Sequence, residues 1–140
     1  MRAINAEMAT LQTNFRQNVL SEVNAQAIIV DNAEQLDGLS EGEIASAKAA
    51  AVERDLEDQW VIPLLNTSGQ PALARLTHRD LREQIYRASV GRGSSGGYYD
   101  NRETVAKIMK LRAERALLLG YTNHAAFNLE NQTAKTTEAV

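Results

Sequence analysis

Two imidazoles are the side chains of this 140-residue sequence best suited to hold a metal ion or move a proton near neutral pH, and their spacing limits what they can do. A zinc site wants three or four ligands. The helical arrangement that supplies two of them sets histidines four residues apart, with a glutamate after the first. Neither His78-Arg79-Asp80-Leu81-Arg82 nor His124-Ala125-Ala126-Phe127-Asn128 has that form. The chain has no cysteine, which excludes thiolate ligands and a disulfide framework. His78 and His124 are therefore read as helix-start or surface residues.

Gly91-Arg92-Gly93-Ser94-Ser95-Gly96 matches the glycine fingerprint of dinucleotide binding. That chemistry needs a strand before the glycines and a helix opening within them, so that a pyrophosphate meets free helix amides. Here the pattern before the glycines is helical and the next helix opens only near Asp100. The segment is read as an inter-helix loop, flexible over 91–99, with four glycines in the seven residues from Gly91 to Gly97. Ser94 and Ser95 have no implied histidine base, so no nucleophile is assigned. The acidic cluster Asp55, Glu57 and Asp58 reads as a solvated loop. No catalytic, cofactor-binding or metal-binding residue is assigned anywhere in the chain.

The elements around these residues are mainly helical. Ile4, Met8, Leu11, Phe15 and Val19 recur at helical steps and predict one long helix over 2–25. Ala27-Ile28-Ile29-Val30 and Trp60-Val61-Ile62-Pro63-Leu64-Leu65 read as short strands, the second at an edge because Pro63 has no N–H to donate. Parallel and antiparallel pairing are both open. Ser40 with Glu43 predicts a capping box for a helix ending near Arg54, with Ile44, Ala47, Ala51 and Val52 inward. Pro71 opens a short helix over 72–76. Thr77 is expected to cap the next, whose inner face is Leu81, Ile85 and Ala88, with Tyr86 beside them. Asp100 is expected to cap a helix carrying Val105, Ile108, Met109, Arg112, Ala116 and Leu119, closed by Gly120. Glu103–Lys107 and Lys110–Glu114 stand at ion-pair spacing on it. Thr122 is expected to cap a last helix through Glu130. Met1 enters the first helix uncapped, and Lys135-Thr136-Thr137-Glu138 opens a helix the sequence does not continue. Both ends are expected to be internal to a longer polypeptide.

Charge is uneven along the chain. Asp31 to Asp58 holds nine acidic residues against Lys48 and Arg54, and Arg75 to Arg115 holds ten basic against five acidic. Interleaved acids make solvated helix faces the simpler reading, and few aromatics stand ready to stack bases, so nucleic acid is not an expected partner. No apolar run approaches the length of a membrane span.

Taken in order, several segments resemble a known family. They are Phe15-Arg16-Gln17-Asn18-Val19-Leu20, Leu36-Asp37-Gly38-Leu39-Ser40, Gln59-Trp60-Val61-Ile62-Pro63-Leu64, Arg79-Asp80-Leu81-Arg82-Glu83, Leu111 through Tyr121, and Asn128-Leu129-Glu130-Asn131-Gln132-Thr133-Ala134-Lys135-Thr136. The succession resembles the peptidyl-dipeptidases of the thimet-oligopeptidase family of zinc metallopeptidases. The resemblance implies a mostly helical enzyme, much longer than this chain, with two lobes around a deep channel. It implies a cytoplasmic protein that uses zinc to release dipeptides from the free C-termini of oligopeptides. The family's His-Glu-x-x-His helix and its further glutamate ligand do not occur here, so none of its catalytic or zinc-binding residues carries over.

The expectation is thus a mainly α, bundle-like lobe with at most two short strands, near 27–31 and 60–65. Residues 1–140 would form a single helical segment of a larger peptidase, itself without catalytic groups or zinc, packed against the rest of that polypeptide. The alternative is a stand-alone helical binding or adaptor module that uses the basic 75–115 region. A cut lobe is also expected to self-associate through the first helix.

Overall fold

A computed structural model of the chain describes every residue except Asn66 and Ser68. Helix α1 spans Arg2–Ala25. Strand β1 (Ile28–Val30) follows, then a 3-10 turn at Ala33–Leu36 that the sequence reading did not foresee. Helix α2 is Glu41–Val52, β2 is Trp60–Ile62, and α3 and α4 are Ala72–Arg75 and Arg79–Val90. Helices α5 (Arg102–Leu118) and α6 (His124–Leu129) precede a final 3-10 turn at Thr137–Ala139. The chain is mainly α, as its periodicity demands. The two strands pair antiparallel, with Ile28 opposite Ile62 and Val30 opposite Trp60, which resolves the open direction. Strand β2 stops one residue before Pro63, where the ladder donor disappears.

The residues group into two compact units, one of Met1–Gln17 with Asn101–Val140, the other of Asn18–Asp100. The middle unit has the larger apolar core. Val23, Val30, Leu36, Leu76, Leu81 and Ile85 are buried together, and Leu36 and Ile85 are fully enclosed. Each such side chain contributes roughly 1.5–3 kcal/mol on leaving water. In the other unit, Ile4 and Met8 of α1 bury against Leu111 of α5, with Leu11 packed beside them. That contact turns α5 relative to the expected stripe. Ile108, Leu111 and Ala116 are buried, while Val105, Met109 and Leu119 stay 42%, 55% and 44% exposed. Val52 of α2, also expected inside, is 51% exposed.

The caps show which polar groups are free to serve. Ser40 and Glu43 form the expected box, the Ser40 hydroxyl accepting from the Glu43 N–H and the Glu43 carboxylate accepting from the Ser40 N–H. Thr77 does not cap α4. Its hydroxyl donates to the Asp37 carboxylate at 2.7 Å and its N–H to the Asp37 carbonyl at 3.0 Å, so His78 takes the cap position. Asp100 accepts from the Gly96 N–H at 2.8 Å, and Asn101 holds the start of α5. Asn123, not Thr122, caps α6 by accepting from the Ala126 N–H at 2.9 Å. Asparagine outranks threonine at that position. Gly120, at φ 86°, closes α5 as expected, with the Tyr121 N–H reaching back to the Ala116 carbonyl at 3.0 Å. Ion pairs among the described residues include Arg75–Glu43 and Arg87–Glu83. The expected Glu103–Lys107 and Lys110–Glu114 pairs are not among them, their side chains standing free on the exposed face of α5.

Candidate functional site

The two histidines fall in different units and do different things. His78 lends its Nδ1 lone pair to the Leu81 N–H at 3.2 Å, so that nitrogen is already engaged in capping α4. His124 is the first residue of α6 and is half-buried. Burial holds its pKa below the ordinary value, and the nearby Arg112 and Arg115 guanidiniums lower it further. Among the described residues no group of three or more His, Asp or Glu side chains is placed to hold a metal ion. The donor set among the described residues does not fit a zinc centre.

The glycine-rich loop after α4 is fastened by a residue the sequence reading passed over. Glu22, on α1, is only 2% exposed, and its carboxylate accepts from the Gly93 N–H and the Ser95 hydroxyl. The signal was present in the sequence. Glu22 stands three residues after Val19 and directly before Val23, on the inward face of the helix. Arg92 works from the loop in the other direction. Its guanidinium donates to the carbonyls of Ser89 at 2.7 Å, Leu65 at 2.8 Å and Thr67 at 2.7 Å. Gln70 completes the junction, accepting from the Leu65 N–H at 3.0 Å and donating to the Leu65 carbonyl at 2.9 Å. A dinucleotide site needs the loop amides free, and the Gly93 amide is committed to a carboxylate of the protein itself. The loop's hydrogen bonds are structural.

The basic stretch divides in the same way. Arg75 pairs with Glu43 at 2.8 Å, Arg87 with Glu83 at 2.7 Å, and Arg82 donates to the Leu76 carbonyl at 2.9 Å. With Arg92 these are four of the five cations from Arg75 to Arg92 already bound to internal acceptors, Arg79 being the fifth, while those from Arg102 onward belong to the other unit. The Glu43 carboxyl is lowered to about 2, chiefly by the Ser40 hydroxyl, then by the Ser40 N–H and by Arg75.

Comparison with known proteins accounts for the order of these segments. Residues 72–140 match Peptidase family M3. Over 139 residues the chain is 42% identical to the dipeptidyl carboxypeptidase of Salmonella typhimurium, taking in 99% of this chain and 20% of that protein. Over residues 72–140 the sequence is similar to peptidase family M3. The dipeptidyl carboxypeptidase of Escherichia coli is 40% identical over 139 residues, again with 99% of this chain and 20% of that protein. The probable cytosolic oligopeptidase A of Arabidopsis thaliana is 32% identical over 142 residues, covering 97% of this chain and 20% of its own length. The chain thus spans about a fifth of the length of the curated relatives it matches. Three of the segments that carry the resemblance, Arg79–Glu83, Leu111–Tyr121 and Asn128–Thr136, lie inside the matched M3 range.

Proposed function

We propose that this chain is a helical scaffold segment of a zinc-dependent peptidyl-dipeptidase, and that residues elsewhere in a longer polypeptide perform the hydrolysis. The observation that carries the reading is the 42% identity across 139 residues to a dipeptidyl carboxypeptidase of which those residues are 20%. In such an enzyme zinc polarises the scissile carbonyl and lowers the pKa of its bound water. The residues here contribute support: a capped helix pair in α2 and α4, the Glu22 tie to the loop after α4, and the closed end of α5. Oligopeptides are the substrate class, dipeptides cut from free C-termini are the product, and the cytoplasm is the compartment.

The test uses the 140-residue chain and the full coding sequence in parallel. Each is incubated with N-acetylated oligopeptides, and products are read by mass spectrometry, with zinc measured by elemental analysis. The full-length protein is expected to release C-terminal dipeptides and to hold stoichiometric zinc, and the 140-residue chain to do neither. Turnover or stoichiometric zinc in the 140-residue chain would overturn the scaffold reading. Absence of dipeptide release by the full-length protein would overturn the peptidase reading.

A further inference from the structure

Arg112 and Arg115 are two arginines of α5 without a carboxylate side chain as partner among the described residues. Among the described residues neither Arg112 nor Arg115 makes an ion pair or donates a hydrogen bond, in contrast to Arg75, Arg82, Arg87 and Arg92. Arg115 lies with its guanidinium carbon 4.9 Å from the centre of the Phe127 ring, and its Nε is sheltered from solvent with no acceptor. Nδ1 of His124 is likewise sheltered and unpartnered. A buried polar nitrogen without a partner costs about 1–3 kcal/mol, so two in one place ask for an explanation.

Arg112 and His124 border one cleft of about 790 Å³, and Arg115 is not part of its lining. Arg112 and Met109 form its α5 wall, His124, Asn128 and Leu129 its α6 wall, and Thr137 and Val140 close it. Its lining contains no Asp or Glu side chain. The volume is within the roughly 300–1,000 Å³ of small-ligand sites. The polar groups are the Arg112 guanidinium, an imidazole whose pKa burial and then Arg112 and Arg115 lower, and the Asn128 amide, whose nitrogen is 3.3 Å from Nε2 of His124. The apolar groups are Met109 and Leu129. A guanidinium pairs with a carboxylate through two parallel hydrogen bonds, and the neighbouring apolar wall suits the aliphatic part of an amino acid.

We propose that the α5–α6 cleft binds the carboxylate of a peptide, with Arg112 as the principal partner and His124 and Asn128 as flanking hydrogen-bonding groups. The placing of Arg112, His124 and Asn128 in one cleft stands on geometry; the choice of a peptide as the carboxylate's carrier rests on the peptidase reading. Two sources share this chemistry, a free C-terminal carboxylate and an Asp or Glu side chain.

The experiment titrates the 140-residue chain with three probes. These are acetyl-Ala-Leu with a free acid, the same peptide amidated, and acetyl-Glu-Leu-amide. The arginine Nε–H and histidine ring signals are followed by NMR. One or both acid-bearing peptides are expected to shift Arg112 and His124 at about millimolar concentration, while the neutral amide does not. Arg112→Gln should weaken binding about tenfold or more, Arg112→Lys should weaken it less, and Arg79→Gln should leave it unchanged. A preference for the free acid over acetyl-Glu-Leu-amide assigns the cleft to C-termini, and the reverse assigns it to acidic side chains. Equal binding of the neutral amide overturns the proposal. So does the absence of shifts at saturating peptide, or inorganic phosphate displacing the peptides at their own concentration. Because the readout is binding without turnover, it is independent of whether the full-length protein hydrolyses peptides.

Discussion

Replacing Gly38 by alanine tests the tightest backbone contact in the middle unit. Gly38 lies at φ 93°, in the left-handed region, and a Cβ there would sit 2.1 Å from the Arg75 carbonyl oxygen and 3.0 Å from its carbon. Carbon and oxygen rest at about 3.3 Å or more, so the two backbones must part by roughly 1 Å. They are not free to do so. Thr77, two residues past the clash, donates twice to Asp37, one residue before it, at 3.0 Å and 2.7 Å. Leu76 between them is a buried core residue. The left-handed conformation costs an L-residue about 1–2 kcal/mol, and loss of the two hydrogen bonds adds about 1 kcal/mol each, giving roughly 3–4 kcal/mol. Trp60 is the chain's single tryptophan and lies in β2 of the same unit, so urea denaturation followed by its fluorescence reads this unit directly. Two other glycines calibrate the result. Gly42, inside α2 with nothing within 4 Å of an added Cβ, should tolerate alanine with a gain of up to about 1 kcal/mol. Gly120, at φ 86° but equally open, should lose only the left-handed term, about 1 kcal/mol. A Gly38→Ala protein within about 1 kcal/mol of wild type would refute the close-approach argument.

Further outcomes follow from the caps, the buried acid and the core. Ser40→Ala removes the first-ranked cause of the Glu43 shift and should raise that carboxyl from about 2 toward its ordinary 4.5, read by carboxyl NMR titration; an unmoved midpoint contradicts the assignment. The folded-state value is the depressed one, so this group's contribution is complete above pH 4.5 and is lost as pH falls through about 2. Loss of the same hydroxyl should cost the α2 cap about 1 kcal/mol in thermal denaturation. Glu22→Ala leaves the buried Gly93 N–H without its carboxylate, at a cost of about 2–3 kcal/mol. Hydrogen exchange at the Gly93 amide should accelerate, and unchanged protection there would show the loop held by other means. Ile85→Ala empties a fully enclosed core position and should cost about 2–5 kcal/mol in urea; a loss below 1 kcal/mol, on the order of a surface change, would place Ile85 outside the core.

Element types were readable in the sequence because apolar spacing and cap chemistry are local. The first helix, the Ser40–Glu43 box and the Gly120 stop each depend on residues within one or two turns. The misplaced caps at Thr77, Asp100 and Thr122 have a common cause. Thr77 and Asp100 carry oxygens suited to capping, but each is engaged elsewhere, by Asp37 across the fold or by Gly96 around a turn. At Thr122, a better acceptor stood next door in Asn123. The turn of α5 was likewise unreadable, since it is set by Leu111 meeting Ile4 and Met8 far back in the chain. At the level of sites, Glu22 was not singled out, and Arg112 was placed only in the spaced stripe of its helix. A carboxylate or a guanidinium looks the same in a sequence whether it is solvated, clamped or waiting for a partner.

The placement of two polar ties gives the chain an architecture of insertion. Glu22 holds Gly93 and Ser95, near the two ends of Asn18–Asp100, while the Asn101 amide donates to the Phe15 carbonyl at 3.1 Å, joining the two stretches that flank it. Each unit is therefore fastened where the polypeptide leaves it and returns. A segment whose entrance and exit are neighbours suits circular permutation, with the old ends spliced and new ones opened in the exposed 53–55 turn.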